Sequence, residues 1–207
     1  MSKDEQAGEV SLSGRAKAQR ERILIAAQHC FVKYGFHAAS MANIAEAAKM
    51  SAGLIYRYFP NKSAIVLAII ERQTEIELED IRALGASVDL TEALVDAFAN
   101  WSKPQPDMRM VNAALFLETS AEATRDEQIA QALRQADELC CAEFRAYLAR
   151  PVAEGGLGMS PELAHRRSLV FLCLIEGLTV RAARDPELDL DLLRRALAEV
   201  MPGLAAE

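Results

Sequence analysis

Several features that would assign this chain of 207 residues to a special class are scarce or missing. Glycine (10 residues) and proline (7) are few, aromatic residues make up 6%, and there is one tryptophan. No stretch approaches the roughly 18 consecutive apolar residues of a membrane-spanning helix, and the N-terminus lacks the apolar stretch of a signal peptide. These absences exclude collagen-like, low-complexity and membrane-spanning proteins. They predict a cytoplasmic protein with no membrane partner.

Motifs of catalysis and metal binding are also missing. The chain has no G-x-S-x-G, P-loop, H-E-x-x-H or G-x-G-x-x-G pattern, and its three histidines are scattered. Its four cysteines do not resemble a secreted disulfide framework, so reduced thiols are expected. Cys140 and Cys141 fit two small apolar residues of a packed helix better than a redox pair, because only Arg145 stands near enough to lower a thiol pKa. We therefore predict no enzyme, no cofactor and no metal.

What the chain does contain is helix-forming sequence with an uneven charge. Hydrophobic residues make up 51% and charged residues 26%, and Ala, Leu, Glu and Arg dominate, which favours helix almost throughout. The net charge is −7, but residues 1–62 hold nine Lys and Arg against five acids, a net +4, and the remainder carries −11. A basic segment joined to an acidic one indicates a module that binds a polyanion such as DNA.

The basic segment shows the pattern of a helix-turn-helix. Apolar residues at helical spacing predict a first helix over 15–34, which Gly35 ends. Two short helices follow, with Ser40 and Ser51 as their N-caps, and Pro60 ends the second. A long helix over 61–84 comes next. Two short helices joined by a tight turn expose the second one, whose N-terminal side chains can enter a major groove.

The order of residues in this segment carries a specific resemblance. The matching residues are Arg22-Ile23-Leu24, Ala26-Ala27, Phe31, Tyr34-Gly35-Phe36, Ser40-Met41, Ile44-Ala45, Ala47-Ala48, the run Ser51-Ala52-Gly53-Leu54-Ile55-Tyr56-Arg57-Tyr58-Phe59, and Asn61-Lys62. From Arg20 to Gln73 the chain resembles the tetracycline-repressor (TetR) family of bacterial transcriptional regulators. One departure is Tyr58, where many members have His. The remainder resembles the family in length and helical layout.

Residues 1–14 are polar and aperiodic, which predicts a loose arm. For the rest of an all-α fold the resemblance implies two parts. These are a helix-turn-helix DNA-binding domain over 15–77, with the motif at 40–59, and a helical effector-binding and dimerisation domain over 78–207. Its implied partners are double-stranded DNA with a pseudo-palindromic operator, a second copy of the chain and a small-molecule effector.

Candidate DNA contacts follow residue by residue. The family pattern, carried onto this sequence, places them at Ser40, Ser51, Ala52, Gly53, Tyr56, Tyr58 and Lys62. Gly53 lets backbone approach DNA, the two tyrosines offer phenolic donors, and the Lys62 cation in a first helical turn suits a phosphate. Arg57 is a candidate for guanine readout or for a phosphate contact. Ser40 and Ser51 are interpreted as N-caps as well.

The second half predicts a dimer interface and an apolar ligand pocket. The segment 169–180 is apolar almost all round, so it needs a second cover, most simply another subunit; helices 126–149 and 162–183 would pair with their symmetry mates. The candidate ligand-binding residues are Phe98, Trp101, Phe116, Thr119, Phe144 and Glu176, with Glu118 and Asn112 as further polar candidates. For Glu176 a salt bridge, to Arg181, is the competing interpretation.

These features together predict a homodimeric transcriptional repressor that a small molecule releases from its operator. The alternative is a helical enzyme or small-molecule carrier without operator binding, and a structural scaffold is a third interpretation. Salt-dependent retention on heparin separates them, because an acidic enzyme of pI about 5 should flow through.

Overall fold

The structure, a computed structural model, describes residues 3–85, 88–103 and 113–205. These residues form nine α-helices, one 3₁₀ helix and no β-strand, which confirms the all-α prediction. The helices are α1 (Lys3–Ala38), α2 (Met41–Ala48), α3 (Ala52–Tyr58), α4 (Lys62–Ala83), α5 (Leu90–Trp101), α6 (Ala113–Ala123), α7 (Glu127–Ala149), the 3₁₀ helix (Val152–Glu154), α8 (Pro161–Arg184) and α9 (Leu190–Ala205). The candidate Asn112 lies outside the described residues.

The chain divides into two compact units, residues 1–69 and 70–207. The boundary falls inside α4, about two turns before the domain boundary at 77 that the sequence predicts. None of the helices among the described residues is long and apolar enough to span a membrane.

The first unit is a small helical domain built around one apolar core. Its fully buried side chains come from α1, α2, α3 and the start of α4: Ile23, Ala27, Phe31, Ile44, Ile55, Phe59, Ile65 and Ile69. The backbone of α1 is interrupted at Gly35, where φ is 76° and ψ is 158°. Glycine adopts this conformation without steric penalty, so the predicted end of the first helix at Gly35 is confirmed.

The second unit packs α7 against α8 and places α5 between α8 and α9. Its core centres on Phe98, Tyr147, Leu148 and Phe171, which are at most 2% exposed. Side-chain oxygens cap the starts of its helices; for α8, Ser160 accepts a hydrogen bond from the backbone N–H of Leu163 at 3.3 Å, and Pro161 occupies the first helical position. Proline at the first helical position loses no helical hydrogen bond, because the N–H at that position has no partner within the helix.

The start of the first helix differs from the sequence prediction. Helix α1 already begins at Lys3, whereas residues 1–14 were expected to form a loose arm. The stretch contains no proline, and its Lys, Glu, Gln and Ala residues favour helix. Helix α9 continues past Met201 through Pro202 to Ala205. Pro202 lies three residues before the end of α9 and, having no backbone N–H, removes one hydrogen bond of the last turn.

Candidate functional site

The helix-turn-helix is held by local capping contacts. The Ser40 hydroxyl accepts a hydrogen bond from the Asn43 backbone N–H at 3.1 Å, and the Asn43 side chain accepts one from the Ser40 backbone N–H at 2.9 Å. Lys49 then adopts a left-handed conformation (φ 53°, ψ 48°) and turns the chain. At the start of α3, Ser51 accepts a hydrogen bond from the Leu54 N–H at 3.3 Å. Both predicted N-caps are therefore confirmed.

Helix α3 presents one face outward and anchors the other. Ile55 is fully buried and Phe59, just after the helix, is 2% exposed. The exposed residues of this segment are Ser51, Ala52, Gly53, Tyr56 and Arg57, and Tyr58 is half-buried. A Cβ built on Gly53 meets no atom of the protein within 4 Å. The chain itself therefore gives no steric reason for glycine at this position.

Lys62 serves a role that the sequence analysis did not foresee. Its ammonium donates hydrogen bonds to the carbonyl oxygens of Phe36 at 2.6 Å, His37 at 3.1 Å and Ala39 at 2.7 Å. It also lies 4.7 Å from the centre of the Phe36 ring. An ammonium has three N–H donors, so these contacts use all of them to bind the end of α1.

Two arginines of α1 also hold the motif in place. Arg22 donates hydrogen bonds to the carbonyl oxygens of Ala48, at 2.5 Å, and Lys49, at 3.3 Å, where α2 ends and the turn begins. The Arg20 guanidinium stacks 4.9 Å from the centre of the Phe59 ring. Sequence reasoning missed Arg22, because its partners are backbone atoms 26 and 27 residues away.

The second unit contains an apolar cavity of about 240 Å³. Its walls are mostly leucine, isoleucine and aromatic side chains of α4, α5, α7 and α8. Trp101 and Phe144, two of the predicted ligand-binding residues, line it together with Leu94, Phe171 and Ile175. An apolar cavity between helices, with a few polar groups at its edge, is the usual form of a small-molecule site.

A neighbouring cavity of about 440 Å³ shares several of these walls and is more polar. Phe116 and Glu176, also predicted, line it beside Trp101. Phe98 and Thr119 line neither cavity. Phe98 is fully buried in the core, and the Thr119 hydroxyl donates hydrogen bonds to the carbonyl oxygens of Leu115 and Phe116 at 3.0 Å. The geometry thus brings four of the six predicted ligand residues to the cavities.

The polar side of the larger cavity is acidic, which the sequence analysis did not anticipate. Its lining includes five carboxylates, from Glu77, Asp80, Asp96, Asp137 and Glu176. Burial raises the pKa of Glu77, and the nearby Asp137 and Asp80 raise it further, although a hydrogen bond from Cys140 acts in the opposite direction. Burial and Asp137 likewise raise the pKa of Glu176. No ion pair among the described residues joins Glu176 to Arg181.

The surroundings of the two neighbouring cysteines, Cys140 and Cys141, raise the pKa of both thiols. The Cys140 thiol donates a hydrogen bond to Glu77 Oε2 at 3.4 Å. Burial and the Glu77 carboxylate raise the pKa of the Cys140 thiol to about 12, and burial also raises that of Cys141. Thiolates are the reactive form, so the contacts favour packed apolar residues over a redox pair.

An outward face of α7 and α8 is apolar. Leu169 is 61% exposed, Val170 is 43% exposed and Leu139 of α7 is 53% exposed. Cys173 and Gly177 continue the α8 stripe at helical spacing. We refer to Leu139, Leu169, Val170, Cys173 and Gly177 as the α7–α8 face.

Other residues of the same apolar run point inward. Leu172 lines both cavities, and Leu174 packs on the core. The sequence predicts that the segment 169–180 is covered on both sides. In the structure one side of this segment packs on the cavities and core of the second unit. The other side, which belongs to the α7–α8 face, is not covered by any described part of the protomer.

Comparisons with known proteins agree with this architecture. Residues 23–69 match the family described as "Bacterial regulatory proteins, tetR family", and residues 91–205 match "BetI-type transcriptional repressor, C-terminal". The HTH-type transcriptional regulator UidR of Escherichia coli K12 is 29% identical over 186 residues, which is 90% of each chain. The structure of Salmonella enterica GusR is 28% identical, with a TM-score of 0.67 over 88% of this chain and 95% of that one. A regulator from Pseudomonas aeruginosa PAO1, 20% identical, has a TM-score of 0.70 over 92% and 91% of the two chains.

The fold and these comparisons define a helix-turn-helix transcriptional regulator that binds DNA. The chain belongs to the tetR family of bacterial regulatory proteins, and its second half is of the BetI repressor type. Members of this family are regulators and not enzymes, which excludes the helical-enzyme interpretation. They bind DNA as dimers and respond to small molecules.

Proposed function

We propose that this regulator represses transcription as a homodimer bound to a pseudo-palindromic operator, and that a small molecule in the second unit releases it. The observation that carries the proposal is the exposed face of α3. Ser51 caps the start of α3 and buried Ile55 anchors the helix in the core. On the exposed side, Gly53 leaves open space where a DNA backbone can approach.

The proposed DNA contacts divide by chemistry. Tyr56 and Arg57 are exposed on α3 and reach outward; Tyr56 suits a phosphate, and Arg57 suits either a guanine edge or a phosphate. Ser40 and Ser51 lie at helix starts, where backbone N–H groups face solvent and favour anions. Ala52 and Gly53 are small enough for close approach. Half-buried Tyr58 supports the motif and offers its phenol at the edge.

The proposed dimer uses the α7–α8 face. Two copies that pair through the same face form an isologous interface, in which α7 and α8 of each protomer make a four-helix bundle. A Cβ built on Gly177 meets no atom of the protomer within 4 Å, so there is room for the partner helix to come close. The two recognition helices must then lie about one helical turn of DNA apart, roughly 34–36 Å.

Release follows from linkage between the two binding events. A ligand that prefers a dimer with the wrong separation of recognition helices weakens operator binding by its difference in affinity for the two states. Trp101 and Phe144 at the apolar cavity are the proposed ligand contacts, with Phe116 and Glu176 in the neighbouring cavity. Helix α4 is continuous through the boundary of the two units, which makes it the proposed route of coupling.

Selection of bound fragments from random DNA by the purified protein tests the DNA part of this proposal. We expect one enriched sequence with two inverted half-sites. The variant Arg57→Ala should lose preference at one base pair of each half-site if Arg57 reads guanine, or lose affinity for all sequences if it contacts phosphate. Enrichment of no sequence, or of a single half-site with a monomer bound, contradicts the proposal.

A further inference from the structure

A basic segment of α1 lies ahead of the helix-turn-helix in the chain. Over residues 15–22 four basic residues stand against one acid, Glu21, a net charge of +3. The basic residues are Arg15, Lys17, Arg20 and Arg22. Residues 14–18 are all exposed, so this part of the helix extends past the core of the first unit. Its charge is therefore presented to solvent on a regular helix.

The four basic residues form two pairs with different contacts. Arg20 and Arg22 hold the helix-turn-helix through the ring of Phe59 and the carbonyl oxygens at the end of α2. The structure gives Arg15 and Lys17 neither an ion pair nor a hydrogen bond with another described residue. The charges of this outer pair are thus open to an external anion.

The helical phase of α1 places the outer pair on the sides that meet the motif. Arg15 lies on the same face as Arg22, because the seven residues between them make almost two full turns. It is displaced from Arg22 by about 10 Å along the helix axis, at 1.5 Å per residue. Lys17 likewise lies about one turn before Arg20. The outer pair therefore continues the two rows that contact the α2–α3 turn and the end of α3.

The path of bound DNA passes close to this segment. The α2–α3 turn, to which Arg22 is bound, leads directly to Ser51 and the exposed face of α3. A helix in the major groove, which is about 12 Å wide, has a phosphate strand within about 6 Å on each side. Side chains about 10 Å beyond the turn are then within reach of the strand that borders the groove. Arginine and lysine contact phosphates without reading sequence.

We propose that Arg15 and Lys17 bind backbone phosphates that flank each half-site, outside the reach of the helix-turn-helix. The start of α1 is then a second DNA-binding element, which adds affinity but no base specificity. This inference rests on the proposed function, in which α3 lies in the major groove.

The dependence of DNA affinity on salt tests the proposal with the full chain. In the double variant Arg15→Gln with Lys17→Gln, the slope of log affinity against log salt should fall by about two units for each half-site. The reason is that each phosphate contact contributes about 0.9 to the slope. Affinity at 0.1 M salt should fall at least about tenfold. Glutamine favours helix, so melting curves should match those of the parent.

Two further double variants are matched controls. Arg15→Lys with Lys17→Arg keeps both charges and should retain the slope of the parent. Lys103→Gln with Arg195→Gln removes the same amount of charge from exposed positions of the second unit, so the slope should not change. Together these controls distinguish a phosphate contact from a change in net charge.

Ethylation of single phosphates in the selected operator locates the contacts. Ethyl groups on phosphates outside the two half-sites should weaken binding of the parent, and they should not affect the double variant Arg15→Gln with Lys17→Gln. The bases that this variant prefers should be those of the parent.

The outcomes separate this inference from the proposed function. An unchanged slope in the double variant, an equal fall in the second-unit control, or altered base preference overturns the inference, while an enriched operator keeps the proposed function. If no operator is enriched, the DNA part of the proposed function is wrong. The slope on a duplex of random sequence then still decides whether Arg15 and Lys17 bind phosphates.

Discussion

The ammonium of Lys62 lies 2.6 Å from the carbonyl oxygen of Phe36, so the first turn of α4 is bound directly to the end of α1. Its further hydrogen bonds to His37 and Ala39 satisfy carbonyl groups at the place where the α1 backbone ends. Helix α2 begins two residues after Ala39. Lys62 thus holds the segment that leads into the helix-turn-helix. Removing its ammonium is expected to lower the stability of the first unit, whereas removing a phosphate contact would lower DNA affinity.

We expect Lys62→Met to destabilise the first unit by about 2 kcal/mol, since hydrogen bonds to charged groups contribute roughly 1.5–3 kcal/mol. Urea denaturation followed by circular dichroism measures this. Lys33→Met, which changes an exposed lysine of α1, should alter stability by less than about 0.5 kcal/mol. The slope of log affinity for DNA against log salt should stay the same for Lys62→Met. A stable variant whose slope falls by about one unit would instead show that the ammonium reaches a phosphate.

The Gly53→Ala variant tests whether glycine at this position is needed for folding or for DNA binding. Because its Cβ enters open space within a helix, the variant should be as stable as the parent or more stable by up to about 1 kcal/mol. Its affinity for the operator should fall at least tenfold, or about 1.4 kcal/mol, if DNA backbone occupies that space. Gly203→Ala on α9 also meets open space and serves as the control, with no effect on DNA binding. Unchanged operator affinity of Gly53→Ala would show that this face of α3 does not approach DNA closely.

The first unit was predictable from sequence because its signals are local. The reciprocal contact of Ser40 and Asn43, the break at Gly35 and the stop at Pro60 each depend on residues only a few positions apart. Such signals act through backbone geometry that neighbouring residues determine. The contacts of the Lys62 ammonium are not readable from local sequence, because its partners lie 23 to 26 residues away in the chain.

The positions of the helices in the second unit were predictable from sequence, but the side of each helix that faces the core was not. An uninterrupted apolar run carries no periodicity, so the sequence does not distinguish inward Leu172 from outward Leu169. In the same way Phe98 and Trp101 are both aromatic residues of α5, yet Phe98 fills the core and Trp101 lines the cavities. Glu77 looks like one more charge on a polar helix until α7 is packed beside it. Only tertiary contacts decide these roles.

The α7–α8 face yields a prediction about assembly. We expect Leu169→Arg to raise the dimer dissociation constant about a hundredfold, because an unpaired charge in an apolar interface costs about 3 kcal/mol. Sedimentation velocity measures the change, and operator affinity should fall with it. Leu192→Arg is the matched control, since Leu192 is 52% exposed on α9, outside this face, and its dimer should persist. A stable dimer of Leu169→Arg together with dissociation of the Leu192→Arg variant would place the interface on α9.

The surroundings of the Glu77 carboxyl group predict that removing its charge stabilises the folded protein. Burial is the main cause that raises its pKa, and the charges of Asp137 and Asp80 add to it, while the thiol of Cys140 lowers it. When the pKa of an acid is higher in the folded chain than in the unfolded chain, the folded chain holds its proton to higher pH. Stability is then fully present below the unfolded pKa and is lost as pH rises through the folded value.

Glu77→Gln should therefore melt at a higher temperature than the parent at pH 7 and at nearly the same temperature near pH 3, where the parent carboxyl is protonated in both states. Glu79→Gln, which removes an exposed carboxylate from the same helix, should give a smaller change. Scanning calorimetry at fixed protomer concentration measures both. A Glu77→Gln protein less stable than the parent at pH 7 would mean that the Glu77 carboxylate is a structural partner within the fold and not an uncompensated charge.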